Sequence, residues 1–147
     1  MADKVYLGLD VGRRRIGVAL SDPEGLLAVP LSTVYRQTID SAVAQIADLV
    51  KEHNVACIIV GLPALLSGEF GEEVASVQEF AGALFEKVTV PVEYWDERMS
   101  TVAAEKMLRQ SGAKKETRDA RRDSLAAALI LQGYLDSQKG MMPCEGV

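Results

Sequence analysis

Apolar positions along this chain follow two rhythms, and their order predicts the fold. Val5 to Asp10 (VYLGLD) is a short run of strand type, apolar on both faces as a central strand would be. Val11 to Arg15 (VGRRR) supplies a turn and Ile16 to Ser21 a second strand, and so short a connection favours an antiparallel hairpin. Asp22-Pro23-Glu24-Gly25 is another turn signal, followed by a third strand over Leu26–Val34. The period then lengthens. Ile39, Val43, Ile46 and Val50 fall at helical spacing and predict an amphipathic helix from Thr38 to His53. Val55–Val60 reads as a buried strand stopped by Gly61-Leu62-Pro63. Phe70, Val74, Val77, Ala81 and Leu84 give a helix ending near Lys87, and Val88–Trp95 a fifth strand. Ser100 or Thr101 can cap a helix running to Ser111 with Gly112 as its stop, and Ser124–Leu135 reads as a last helix rich in Ala and Leu.

This order implies an α/β architecture: a meander of three antiparallel strands joined to two parallel ones in a mixed five-stranded sheet, flanked by helices. The expected organisation is one domain over residues 1–138 and a frayed tail over 139–147. Two cysteines, Cys57 and Cys144, are too few for a disulfide framework or a zinc cluster. No apolar run is long enough to span a membrane, and Met1 leads almost directly into the first strand, so a soluble cytoplasmic protein is expected.

Charge changes that picture. The chain carries 16 Lys and Arg against 21 Asp and Glu, a net −5, which taken whole argues against a nucleic-acid binder. Yet from Arg98 to Arg122 lie eight basic residues against three acidic ones, and Arg13-Arg14-Arg15 forms a second cluster. Three acids stand where charge is costly. Asp10 closes a central strand, so it either caps the following turn or faces a cation. Asp123 shares a helical face with Ala127, Ile130 and Tyr134, although a first-turn position would also suit it through the helix dipole. Asp96-Glu97 follows the fifth strand, and alternation puts one acid on each face without choosing between them. Brought together at one sheet edge, such acids repel one another and a divalent cation relieves them. All-oxygen ligation suits Mg²⁺ or Mn²⁺, and a pair of such ions can clamp the oxygens of a phosphodiester.

Four blocks of sequence then match a known family. Leu9-Asp10-Val11-Gly12 with Arg15-Ile16-Gly17-Val18-Ala19, Val60-Gly61-Leu62-Pro63, Asp96-Glu97-Arg98-Met99-Ser100-Thr101, and Arg122-Asp123-Ser124-Leu125-Ala126-Ala127 resemble, in order, the motifs of the YqgF (RuvX-like) proteins of the ribonuclease-H-like superfamily. The resemblance covers residues 4–136. It implies a ribonuclease-H-like fold and a divalent-metal nuclease of the bacterial cytoplasm that matures the 5′ end of pre-16S ribosomal RNA, with Holliday-junction resolution as an older assignment. It also implies Asp10, Glu97 and Asp123 as catalytic, metal-holding residues, which selects Glu97 over Asp96. The chain departs from the family at Ala64-Leu65-Leu66, where a polar segment is usual, and that puts any substrate contact of this loop in question.

The remaining signals are smaller. Arg13, Arg14, Arg15, Arg98, Lys114, Lys115, Arg118, Arg121 and Arg122 are the candidates for phosphate contacts. Trp95 either stacks on a base or packs beneath the last helix. His53 suits a helix C-terminus, Cys57 a core, and Asp22 a turn cap more than a metal site. Expected partners are nucleic acid (pre-rRNA or branched DNA) and ribosomal particles, with the protein a monomer or homodimer and no membrane involved. A catalytically idle RNA- or ribosome-binding module is the alternative from another class. Asp10-x-Gly12 with Gly17-x-Ala19 also fits the phosphate hairpin of actin- and sugar-kinase-type folds, but those enclose ATP between two domains and this chain offers one.

Overall fold

The computed structural model describes residues 4–62, 71–96 and 115–138. Five strands form one sheet: β1 (Val5–Val11), β2 (Arg15–Ser21), β3 (Ala28–Tyr35), β4 (Val55–Leu62) and β5 (Val92–Asp96), in the spatial order β3-β2-β1-β4-β5. β1 pairs antiparallel with β2 and β2 with β3, while β4 runs parallel to β1 and β5 parallel to β4. Helices α1 (Ile39–Glu52), α2 (Gly71–Lys87) and α3 (Lys115–Ser137) cover it. The expected mixed α/β sheet is what forms.

Strand alternation divides the residues into two cores. Leu7, Leu9 and Val11 of β1 join Ile16, Val18 and Leu20 of β2 and Ile58 and Val60 of β4 against α1 and α2. Tyr6 of β1, Ala19 of β2 and Cys57 and Ile59 of β4 join Ala127, Ile130, Leu131 and Tyr134 of α3 on the opposite face. Each fully buried Leu, Ile or Phe contributes about 1.5–3 kcal/mol relative to exposure, and twelve large side chains, Phe80 and Leu7 among them, are below 2 % exposed. β1 is central and covered on both sides. That explains its near-continuous apolar run and makes its one acid conspicuous.

The helix ends follow their caps. Thr38 accepts from the Ser41 backbone N–H at 3.0 Å while the Ser41 hydroxyl receives the Thr38 N–H, a reciprocal cap that starts α1 where expected. His53 is its C-cap, and Asn54 then turns the chain into β4 with a φ of 53°.

Four elements have boundaries that differ from expectation by two residues or more; the third strand begins at Ala28, not Leu26. β5 begins at Val92, not Val88: the Val88 N–H still bonds the Leu84 carbonyl at the end of α2, and Pro91 has no N–H to give a ladder. β4 runs on through Gly61 to Leu62, where it still pairs with β5. α3 begins at Lys115 rather than Ser124, so Lys115–Arg122 form its first turns. These turns are charged and carry no apolar stripe, which is why periodicity misses them. The helix expected up to Ser111, the Ala64-Leu65-Leu66 segment and the tail from 139 lie outside the described residues.

Candidate active site at the carboxyl edge of the sheet

Asp10 sits one residue from the end of β1 and lies on the α3 face, two positions beyond Gly8. A Cβ at Gly8 would lie 2.7 Å from Leu131 Cβ and 3.0 Å from the Ala127 carbonyl oxygen, so α3 presses directly on β1 there. The cross-strand partner of Asp10 is Gly17. α3 comes closer still at Gly17, where a Cβ would lie 1.8 Å from the carbonyl oxygen of Asp123. Two acids far apart in the chain are thereby brought to neighbouring positions, Asp10 on the strand and Asp123 on the helix turn resting against its partner strand. The helix is anchored from its other side by Gln132, whose side-chain amide brackets β3: it accepts the Ala28 N–H at 2.9 Å and donates to the Leu26 carbonyl at 3.0 Å.

Arg15, on the α3 face of β2, places Nε 2.8 Å from Asp123 Oδ2. This close ion pair is only partly shielded, with the arginine side chain 39 % and the aspartate 18 % exposed. Asp123 is therefore partly neutralised by an arginine. Arg13 and Arg14 stay exposed in the turn between β1 and β2, and Arg122 is exposed beside Asp123. The turn is held by the Gly12 N–H to the Arg15 carbonyl (2.9 Å) and by Arg36, which donates to the Gly12 carbonyl at 3.0 Å and to Ser76 Oγ of α2 at 3.1 Å.

The third expected acid, Glu97, and with it Arg98 and Lys114, lie outside the described residues, as do the side chains of Asp96, Lys115, Arg118 and Arg121. Among the described residues no three His, Cys, Asp or Glu side chains cluster in a way that could hold a metal. The pair Asp10 and Asp123 offers only oxygen ligands, the donor type that suits a hard divalent cation.

Two residues resolve toward their structural readings. Trp95 packs edge-on against Tyr134, with ring centroids 6.0 Å apart, and its Nε1 is buried beside Gly133, so it wedges against α3. Close by, the Tyr134 hydroxyl donates to Glu93 Oε2 at 3.4 Å, and burial together with that acid's charge pushes the phenol above its ordinary value. Asp22 lies at the opposite sheet edge, next to the start of β1, where the Lys4 N–H bonds the Pro23 carbonyl. Its Oδ1 accepts from the Leu27 N–H at 3.0 Å and the Leu26 N–H at 2.7 Å, and these bonds lower its pKa below the ordinary 3.8. A depressed carboxylate contributes stability that is fully present above its unfolded pKa and lost as pH falls through the folded one. Asp22→Ala should therefore lower the urea midpoint at pH 7, and the gap to wild type should close as the pH drops below about 3.8; a gap unchanged at pH 3 would contradict the cap.

The sequence reading passed over two contributors. Gly8 and Gly17 make room for α3; together with Ala19 they form a small-residue stripe at alternate strand positions that was legible but not read.

The sequence profile of the RuvX family, described as Holliday junction resolvase, matches residues 4–137. This chain belongs to the RuvX family. A RuvX-like relative from Chloroflexus aggregans, named "Putative pre-16S rRNA nuclease", is 47% identical over 139 residues, covering 95% of this chain and 98% of its own. One from Synechocystis with the same name is 44% identical over 140 residues, covering 95% and 92%. Among solved structures, Thermus thermophilus RuvC in complex with a Holliday junction substrate superposes with a TM-score of 0.57 at 16% identity, covering 93% of this chain and 96% of that one. The fowlpox virus Holliday junction resolvase gives 0.54 at 14%, covering 90% and 99%. At such identities these two show that the RuvX chain shares their fold. Among its described residues no helix is long and apolar enough to cross a membrane.

Proposed function

We propose that this protein is a divalent-metal-dependent nuclease that hydrolyses phosphodiester bonds, acting in the cytoplasm on pre-16S ribosomal RNA at its 5′ end. What supports the reading is the packing of the Asp123 backbone on Gly17, the cross-strand partner of Asp10, at the carboxyl edge of the sheet. Glu97 is the third member we assign. On β5 the odd-numbered Glu93 and Trp95 are the residues in contact with α3, and 97 is the next odd position. The names of the curated relatives, and the resolvase fold, support a nuclease and not an idle binding module.

Asp10, Glu97 and Asp123 would hold one or two Mg²⁺ or Mn²⁺ ions. Such ions supply a water of lowered pKa and a clamp on the scissile phosphate, giving 5′-phosphate and 3′-hydroxyl ends. The chain's own residues position everything else. The Asp10 backbone is held by its pairing with Gly17 on β2, which fixes the point from which its carboxylate projects. Arg15 holds Asp123 in place and, being half-buried, keeps part of its guanidinium available to a phosphate oxygen. Arg13, Arg14 and Arg122 flank the corner, and we assign Arg98, Lys114, Lys115, Arg118 and Arg121 the same backbone-contact role.

A second reading, cleavage of four-way DNA, is favoured by the family's description and would call for a symmetric dimer to cut two strands. Matched substrates decide between them: a 5′-extended pre-16S RNA and a four-way DNA junction, each incubated with Mn²⁺ and then with chelator. The expected result is cleavage of the RNA that stops on chelation. Metal-dependent cleavage of the junction alone would transfer the assignment to DNA. Failure to cut either, or cutting that survives chelation, would overturn the metal-dependent nuclease.

A further inference from the structure

Three aromatic side chains among the described residues stand well exposed: Tyr35 at 59%, Phe85 at 62% and Tyr94 at 44%. Phe85 belongs to α2, on the far side of the sheet, and Tyr94 alternates with Glu93 and Trp95, which contact α3, so it faces away from that helix. Tyr35 alone shares a face with the carboxylate corner. It pairs directly across the ladder with Arg15, the residue on Asp123, and directly opposed residues of antiparallel strands point to the same side. Asp10, Gly17 and Thr33 form one row of the sheet, and Tyr35 stands two residues beyond Thr33 on β3. Two strand spacings and two residue rises put its Cα about 12 Å from that of Asp10, near enough for one nucleic-acid strand to reach both.

Its surroundings suit such a strand. The Arg36 N–H bonds the Arg14 carbonyl, tying the end of β3 to the arginine turn, and the Arg13 and Arg14 side chains are exposed there. An apolar ring open to water beside exposed arginine side chains offers a stacking face next to phosphate contacts. Trp95, the aromatic that the sequence singled out for stacking, is committed to Tyr134 and Gly133 and leaves the role open.

Resting on the nuclease reading, we propose that Tyr35 is a base-stacking platform that selects unpaired nucleic acid, placing a single-stranded segment next to the Asp10–Asp123 corner. In a duplex both faces of each base are already stacked on neighbours, so only an unpaired base has a face to give.

The test is binding of single-stranded oligonucleotides, RNA and DNA, each with 2-aminopurine at one position, and of the matching duplexes, in chelator. Wild type, Tyr35→Ala and Tyr35→Phe are compared. Tyr35→Ala should weaken single-strand binding roughly five- to a hundredfold and abolish 2-aminopurine quenching at one position, with duplex binding little changed. Tyr35→Phe should restore both. Wild-type binding to single strands that Tyr35→Ala leaves intact would overturn the platform while leaving the nuclease untouched, as would an equal loss for duplex and single strand. Absence of wild-type binding to any nucleic acid would instead overturn the nuclease reading on which the platform rests. Because Tyr35 is exposed, the melting temperature of all three proteins should agree, and a large drop for Tyr35→Ala would mark the ring as structural.

Discussion

Asp10→Asn should abolish phosphodiester cleavage, lowering the rate by more than about a hundredfold, the upper end of what losing even an outer-shell metal partner costs, while the protein still folds. The substitution preserves size and shape on a strand paired along both edges, so the ladder and the packing of Leu7, Leu9 and Val11 have no reason to change. What disappears is one negative charge at the place where a cation and an attacking water would be held. Far-UV circular dichroism with a single cooperative melt reports the fold, and product formation at saturating Mn²⁺ reports the chemistry. Equal activity in the two proteins would remove Asp10 from the site. Loss of activity together with loss of the cooperative melt would make the carboxylate structural.

Gly17→Ala should damage both. The added Cβ would meet the Asp123 carbonyl oxygen at 1.8 Å, its carbon at 2.2 Å and the Ser124 nitrogen at 2.9 Å. All three are backbone atoms, so no side-chain rotation relieves the contact. The turn of α3 at Asp123 must retreat by roughly 1.5 Å to reach van der Waals separation, carrying Asp123 away from Asp10 and loosening Ala127 and Leu131 from Gly8. Overpacking of this kind costs about 1–3 kcal/mol, and a displacement near 1 Å at a catalytic group can cost about a hundredfold in rate. Gly82→Ala on α2 is the matched control. Nothing lies within 4 Å of the Cβ it would add, and a helical Gly→Ala change should stabilise by about 0.5–1 kcal/mol. Urea unfolding and turnover measured on both variants separate the two effects. A Gly17→Ala protein as stable and as active as wild type would show that the helix does not set the spacing of the acids.

The parts of this fold written in short-range pattern were legible. Leu7 and Leu9 against Tyr6 and Gly8, Ile39 to Val50 at helical spacing, and Thr38 as a cap all state locally what the structure builds. Where local and longer-range demands compete, local pattern misleads. Val88, Thr89 and Val90 are β-branched and read as a strand, yet the end of α2 and Pro91 claim them. The early turns of α3 carry charge without apolar rhythm and so stay silent until the helix is seen to continue through them. Asp10 and Asp123 could be suspected because each is an acid on an apolar face. The packing of the Asp123 backbone on Gly17, and the arginine from β2 that lies on Asp123, are tertiary facts with no local signature. Tyr35 was invisible for a related reason: as one more β-former at a strand end, only its exposure beside Arg15 sets it apart.

Because β4 and β5 both run parallel to β1, the chain departs from Leu62 and again from Asp96 at the edge where Asp10 lies. The two connections that begin there, 63–70 and 97–114, are thus covalently next to that edge. A sequence change in 63–70 therefore enters beside that edge without altering a residue of the five strands. The apolar run Ala64-Leu65-Leu66 belongs to that segment.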